Sequence, residues 1–328
     1  MKYDVASFGE ILIDMTFSGF SPDGKKCFEA NPGGAPANCA AAVSKLGGKS
    51  AFIGMTGNDS FGKDLKAALN DAGIDTKGLL TTDKQHTTLA FVSLSPSGER
   101  EFSFCRKPGA DTQIAPSQLD RLILENTKFL QIGSLSLTDE PAASSTRAAI
   151  EIVKKSGGYI SYDPNWRSPL WSDKEKGIQA MKSLFVYADM VKVSDEELNL
   201  LYPELSVEEG ARKIAEQNAK LVLVTLGPKG VFYYAKDLED DTDSENAKCG
   251  TVGCKKVKVV DTTGAGDSFT GGLLYCLTRK KEPFKFTRKE LEKDLEFANA
   301  VASLCVTKRG AIPALPSRPE VEDFIKNS

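Results

Sequence analysis

The chain has 328 residues, 41% of them hydrophobic, and a net charge of −3. That length suffices for one large core or one domain with a small appendage, and the charge lacks the basic excess of a nucleic-acid footprint. No apolar run approaches the roughly 18 residues of a membrane span, so neither nucleic acid nor membrane is expected as a partner.

The N-terminus "MKYDVASFGEILIDM" has no long apolar core or small-residue cleavage site, and it reads as a strand, not a signal peptide. Seven scattered cysteines, an odd number, suggest reduced thiols and a cytoplasmic location. His86 is the only histidine. A Ser-His-Asp or Cys-His mechanism would therefore rest on that one residue, and general-base chemistry falls more naturally to a carboxylate or a lysine.

In chain order, "YDVASFGEIL" reads as the first strand, and Asp14 in "GEILIDM" falls at its end. Ligands bind at that end of a parallel sheet, and a carboxylate there can accept from two adjacent hydroxyls; a plain turn residue is the alternative. Residues 17–31 form a polar, hairpin-like excursion. "NPGGAPANCAAAVSKLGG" follows, with Gly33 and Gly34 before a helix of small residues and Pro36 in its first turn. Asn38 offers a donor and an acceptor, as sugar hydroxyls require; an ordinary turn before a core helix would look similar.

The strand runs "AFIGMTG", "FLQIGSLS", "YISYDPN", "MVKVS" and "LVLVTLG" alternate with helical runs over 37–46, 61–72, 141–155, 174–187 and 207–217. That alternation predicts a parallel sheet with helices on both faces. Residues 87–111 interrupt it with two alternating runs joined by "SPSG", which reads as an antiparallel hairpin. Together with 17–31 it could form a small sheet outside the main one, or the two stretches could be edge strands of the main sheet. In "DPNWRSPLW", Asp163, Asn165 and Arg167 follow a strand directly, and Arg167 could hold a phosphate or hydroxyl, or lie on the surface beside a packed Trp166. "VTLGPKG" ends a strand with Thr225 and Gly227, whose backbone could face a nucleotide. The acidic stretch "KDLEDDTDSENAKCGTVG" reads as an exposed loop.

The stretch "VVDTTGAGDSFTGGLL" carries the most chemistry. Residues 257–260 read as a buried strand and 268–278 as an apolar helix. The turn fails the P-loop pattern, because Gly272 stands in place of the lysine, and the dinucleotide fingerprint, because Phe269 replaces the third glycine. Gly264, Ala265 and Gly266 still let backbone amides approach an anion at the helix start. Asp267 in that first turn would repel a passively bound phosphate. It makes sense as the base for a hydroxyl attacking that phosphate, although an aspartate at a helix start is also a common structural choice.

Taken in this order, these motifs resemble the ribokinase-type (PfkB) carbohydrate kinase family over nearly the whole chain, with "GGAPANCAA" and "DTTGAGDSFTG" matching its two signatures. The resemblance implies an α/β, ribokinase-like fold: a central, mostly parallel sheet flanked by helices, with a small β-sheet lid. The main nucleotide- and sugar-binding domain would span 1–16, 32–86 and 109–328, and a discontinuous lid 17–31 and 87–108. It also implies transfer of the ATP γ-phosphoryl group to a sugar hydroxymethyl. Asp267 would be the base, with Gly264, Ala265 and Gly266 around the anion hole. Asp14, Gly33, Gly34, Asn38, Arg106 and Arg167 would bind the sugar or its phosphorylated product. Lys192, Ser194, Glu197, Thr225, Gly227, Gly230 and Asn299 would lie along the nucleotide. The family's Mg²⁺-linked N-x-x-E motif stands here as "SDEE", with Ser194 in place of the asparagine. Asp261, Thr263, Lys308 and Gly310 match the positions near which members often bind a monovalent cation such as K⁺.

Within the family, "FGEILIDM", "PGGAPANCA", "FCRKPGAD" and "DPNWR" look most like fructokinases; ribose, 2-keto-3-deoxygluconate or a nucleoside remain alternatives. So does a non-catalytic relative acting as a binding protein, against which the intact base and glycines argue. A Rossmann-type oxidoreductase is disfavoured by the missing glycine fingerprint. The lid hairpin offers an exposed edge through which two copies could pair as a homodimer.

Overall fold

The structure, a computed structural model, describes residues 1–94, 100–239 and 248–327. Among them, nine strands form the main sheet in the order β13-β12-β11-β10-β9-β8-β1-β4-β5. Its centre is β1 (Tyr3–Phe8), flanked by β4 (Ser50–Gly57) and β8 (Thr127–Ile132). β5 (Asp75–Thr82) lies beyond β4. β9 (Tyr159–Tyr162), β10 (Met190–Ser194) and β11 (Leu221–Thr225) lie beyond β8, all parallel. β12 (Val231–Ala235) and β13 (Cys249–Val252) close that edge antiparallel.

The chain lays strands outward on one side of β1, then returns to lay β8 on the other. The carboxyl ends of β1 and β8 thus flank the topological switch point where ligands bind in such sheets. Strand periodicity explains the two covered faces. Val222 and Val224 of β11 join the core containing α4 (Ala142–Lys155), α5 (Lys174–Ser183), α6 (Asp195–Leu201) and α7 (Val207–Ala215). Leu221 and Leu223 between them join the core under α8 (Ala265–Thr278) and α9 (Arg288–Cys305).

Local chemistry starts the helices. Asp59 caps α2 (Ser60–Asp71) by accepting from Gly62 N at 2.8 Å. Reciprocal capping boxes open α6 (Ser194/Glu197), α7 (Ser206/Glu209) and α9 (Thr287/Glu290). Gly271 and Gly272 let α8 fit between its neighbours. A Cβ at 271 would lie 2.5 Å from Ala42 Cβ on α1 (Ala35–Lys45), and one at 272 would lie 3.0 Å from Val301 Cγ2 on α9.

The second sheet has the order β3-β2-β6-β7, from β2 (Leu12–Phe20), β3 (Lys26–Gly33), β6 (Leu89–Leu94) and β7 (Arg100–Cys105). The excursion after β1 and the later hairpin therefore do build a separate small sheet, not edges of the main one. The "SPSG" turn and the centre of the acidic stretch lie outside the described residues.

Two local expectations are corrected. "YDVASFGEIL" is not one strand: Gly9, at φ 146°, turns the chain out of the main sheet after Phe8, and Leu12 begins β2. Asp14 thus stands on the second sheet and not at the end of β1. Residues 257–260 are not a buried strand. Val259 and Val260 are 57% and 53% exposed. Val260 N donates to Val306 O at 2.8 Å, tying this segment to the end of α9 and not to a sheet. β-branched residues without a neighbouring strand have no ladder to join.

Candidate active site

A cavity of about 250 Å³ opens beside the switch point, lined by both sheets and by the starts of α1 and α8. Glu10 follows β1 and Leu135 follows β8. Leu12, Asp14, Val92 and Phe104 come from the small sheet, and Asn165, Arg167, Lys192, Ser194 and Glu197 from the carboxyl ends of β9 and β10.

The turn before α8 forms its floor. Gly264 is the N-cap at φ 75°, and a Cβ there would lie 2.7 Å from Ala311 Cβ. Ala265 N donates to Thr262 O and Ser268 N to Gly264 O. The first-turn amides of Gly266 and Asp267 have no intrahelical acceptor, as at any helix start, and the helix dipole adds to their pull on an anion. Lys192 stands over this turn: its Nζ lies 2.8 Å from where a Cβ on Gly266 would be. The glycine therefore makes room for an ammonium as well as for close backbone approach.

Asn38 Nδ2, on α1, donates to Asp267 Oδ2 at 2.8 Å across 229 residues of sequence. Burial raises the Asp267 carboxyl above its ordinary value, while the Asn38 hydrogen bond and the Lys192 and Arg167 charges oppose the rise. This carboxylate is held in place and is more basic than a free aspartate, as a general base requires.

The neighbouring turn uses glycine differently. Gly34, at φ 113°, caps α1, and a Cβ there would lie 2.5 Å from Glu10 O. Gly33 lies under Asp14: a Cβ on Gly33 would meet Asp14 Oδ2 at 2.3 Å. Gly34, Asp14 and Asn38 thus line the cavity together, with Gly33 just behind Asp14 and outside the lining. Glu10 was not foreseen as a site residue. It is 2% exposed, its Oε1 accepts from Ala35 N at 3.2 Å, and burial pushes its carboxyl up to about 7. A lone acidic residue inside the apolar run "FGEILI" was the available signal. Asn165, at φ 51°, also lines the cavity, and an asparagine is among the few residues that tolerate that backbone.

Arg106 is corrected: it does not line the cavity. It is 3% exposed, and its Nε reaches Asp111 Oδ2, Nη1 reaches Thr138 Oγ1 and Nη2 reaches Leu135 O, each at 2.8 Å. Thr88 Oγ1 also donates to Asp111. This cluster fastens both ends of the β6–β7 hairpin to the wall behind Leu135. Arg167 does line the cavity, with Nη1 donating to Trp166 O at 2.8 Å.

Ser194 and Glu197 line the cavity, with both carboxylate oxygens of Glu197 engaged. Oε1 accepts from Trp166 N at 2.7 Å and Oε2 from Ser194 N at 2.8 Å. Thr225 pairs with Ser194 in strand register. Gly227 and Gly230, at φ 56° and 100°, shape the turn after β11. None of these last three lines the cavity. Asn299 does not line it either: its Nδ2 donates to Val252 O and Gly253 O, both at 3.2 Å, and so braces the end of β13.

Asp261 gathers the predicted cation positions. Its Oδ1 accepts from Thr263 N at 3.0 Å and Thr263 Oγ1 at 2.7 Å, and its Oδ2 from Gly310 N at 3.0 Å. The Lys308 side chain turns away toward Glu320, at 3.5 Å. Among the described residues no helix is long and apolar enough to cross a membrane.

A carboxylate facing helix-start amides from below a small covering sheet is the arrangement of a phosphoryl-transfer site in an α/β sugar-kinase fold. The chain belongs to the pfkB family of carbohydrate kinases, whose model matches residues 2–318. It is 42% identical over 325 residues to a probable fructokinase-2 of Arabidopsis thaliana, covering 98% of this chain and 95% of that protein. Its fold is similar to that of a Xylella fastidiosa fructokinase with bound ATP, with a TM-score of 0.89 and 32% identity, over 100% of this chain and 99% of the other. A Vibrio cholerae O395 fructokinase, solved with fructose, ADP and a calcium ion, is 35% identical with a TM-score of 0.86, over 99% of each chain.

Proposed function

We propose that the protein is an ATP-dependent fructokinase, moving the γ-phosphoryl group of ATP to the terminal hydroxymethyl of D-fructose to give fructose 6-phosphate and ADP. The carrying observation is Asp267, aligned by Asn38 at the mouth of the amide turn. The sugar assignment is supported by the fructokinase relatives and by the fructose and ADP bound in one of them.

Asp14 and Asn38 would receive the sugar hydroxyls on the small-sheet side. The nucleotide would lie along Lys192, Ser194 and Thr225. The attacking hydroxyl is far less acidic than Asp267, so it is not ionised in advance. Phosphoryl transfer passes through a loose transition state, and the base orients the hydroxyl and takes its proton late. The hydroxyl oxygen bonds to the γ-phosphorus, the bond to the ADP oxygen breaks, and the proton ends on an Asp267 oxygen. The amides of Gly266 and Asp267 and the Lys192 ammonium stand where charge on the transferring group would be met.

Among the described residues no cluster of three or more carboxylate, histidine or cysteine side chains forms a ready metal cage. That fits Mg²⁺ arriving on the triphosphate, since this ion keeps its waters and takes few protein ligands. Mg²⁺ would offset the charge between the phosphates and the nearby carboxylates. The loop gathered by Asp261 is the proposed place for K⁺. The small sheet would act as the lid, and its edge strands β3 and β7 would let two copies pair. The seven scattered cysteines, an odd number, support a cytoplasmic setting.

A coupled assay of ATP consumption over a sugar panel tests the reading. Fructose should give the highest kcat/KM. A much higher value for ribose or 2-keto-3-deoxygluconate would replace the sugar, and no turnover with any sugar would overturn the enzyme.

A further inference from the structure

Asp163 does not line the cavity, yet it holds Lys192, a buried lysine that does. Its Oδ2 lies 3.1 Å from Lys192 Nζ, with the two side chains 4% and 9% exposed. Asp163 Oδ1 has no hydrogen-bond partner and is closed off from solvent. A carboxylate buried with one oxygen unsatisfied carries a desolvation cost that a neutral side chain would avoid. Its position is informative. Asp163 opens "DPNWR" immediately after β9, and Lys192 lies on the neighbouring strand β10. The pair therefore fixes the ammonium at the carboxyl ends of two paired parallel strands, above Gly266.

We infer that Asp163 is a positioning residue that locks the Lys192 ammonium over Gly266, so that a fixed positive charge joins the turn amides in holding the transferring phosphoryl group. This rests on the phosphotransferase reading above. A lysine in a free cavity wall would sample many rotamers; one clamped by a buried carboxylate meets its ligand without that entropy loss. The groups facing Lys192 are Asp163 from the loop after β9, Glu197 from α6 and Asp267 from α8, with the Cys39 thiol of α1 also near. Burial pulls the Lys192 ammonium down, and the Asp163 charge, helped by Glu197 and Asp267, outweighs it and holds it above its ordinary value.

Asp163→Asn keeps the shape and removes the charge. With turnover of the wild-type protein established first on the sugar panel, kcat/KM for ATP should fall about 10²-fold, the scale of a small misplacement of a catalytic group. The Lys192 ammonium, left in a buried site, should lose its proton at lower pH. An alkaline fall in kcat/KM for ATP should then enter the range in which the wild type stays flat. Because a lone buried lysine could disturb folding, the deciding comparison uses Lys192→Met and the double variant Asp163→Asn/Lys192→Met, which removes both charges of the pair. Once Lys192 is gone, removing Asp163 should cost no further activity. An equal loss from Asp163→Asn in both backgrounds, or an unchanged pH profile, would overturn the assignment while leaving the kinase itself standing.

Discussion

The two glycine turns of this protein look alike in sequence and are put to opposite uses. Each precedes a buried helix, of small residues at α1 and of larger apolar ones at α8, and each donates a polar side chain to the cavity. At α8 the turn stays open: Gly264 takes the left-handed conformation, the amides of Gly266 and Asp267 have no acceptor within the helix, and Lys192 stands above. At α1 fewer first-turn amides remain. Ala35 N is taken by Glu10, Pro36 has no N–H, and Gly34 is needed because the β1–β2 connection presses against it. The first turn is the one suited to an anion, and the second is the one proposed to shape the sugar side. What distinguishes them is which amides the surrounding structure has already used, and no pattern of glycines encodes that.

Substitutions on the two sides should separate these uses. The largest effect is expected from Asp267→Asn, which keeps size and most hydrogen bonding but cannot take the proton. Turnover should fall by roughly 10²–10⁴-fold, the usual range for loss of a general base. ATP affinity and melting temperature should change little, because asparagine suits a helix start about as well as aspartate. Near-normal turnover would return Asp267 to a structural role.

Next comes a matched pair of glycine substitutions. Gly266→Ala places a methyl 2.8 Å from Lys192 Nζ, the far end of a side chain and not backbone. It should lower kcat/KM for ATP about 10–10²-fold by moving that ammonium, with little loss of stability. Gly34→Ala meets backbone, Glu10 O at 2.5 Å, at φ 113°. It should cost on the order of 1–3 kcal/mol of stability or more, seen as a lower melting temperature. If Gly34→Ala left melting unchanged, or Gly266→Ala destabilised more than it inactivated, the contrast between the turns would fail.

The smallest effect concerns Glu10, and it is read in stability. Burial raises its carboxyl from 4.5 to about 7, so in that interval the folded protein binds more protons than the unfolded chain. Stability from this group is complete below the unfolded value and is lost as pH rises through the folded one. Glu10→Gln keeps an acceptor for Ala35 N and does not titrate. Its melting temperature should therefore gain on that of the wild type between about pH 5 and 7 and run parallel above. A constant gap across that interval would mean that Glu10 stays ionised when folded.

Much of this was legible before any coordinates. The strand and helix runs, the second sheet, the turn before α8 and Asp267 within it all follow from features with a short reach: period, capping residues and glycines at a helix start. "MVKVS" marked β10 at its bounds, and "SDEE" is both a capping box and part of the cavity wall. The errors share a cause. The valines of 257–260 have every local mark of a strand, but no strand lies beside them. Asp14 was placed at the right cavity from the wrong sheet, because the turn at Gly9 was read through. The partners of Arg106 and Asn299, which are Asp111, Thr138 and backbone carbonyls, likewise follow from no local pattern.

By itself, then, the sequence determined the succession of elements and the reactive turn, because backbone propensity and capping act over a few residues. Only the tertiary structure decided which polar groups remain available. Asn38 meets Asp267 across 229 residues, Asp163 meets Lys192 across two strands, and Glu10 loses its exposure to packing from both sheets. Hydrogen-bond capacity, burial and the proton affinities that follow from them depend on neighbours brought together by folding, and those neighbours are distant in the chain.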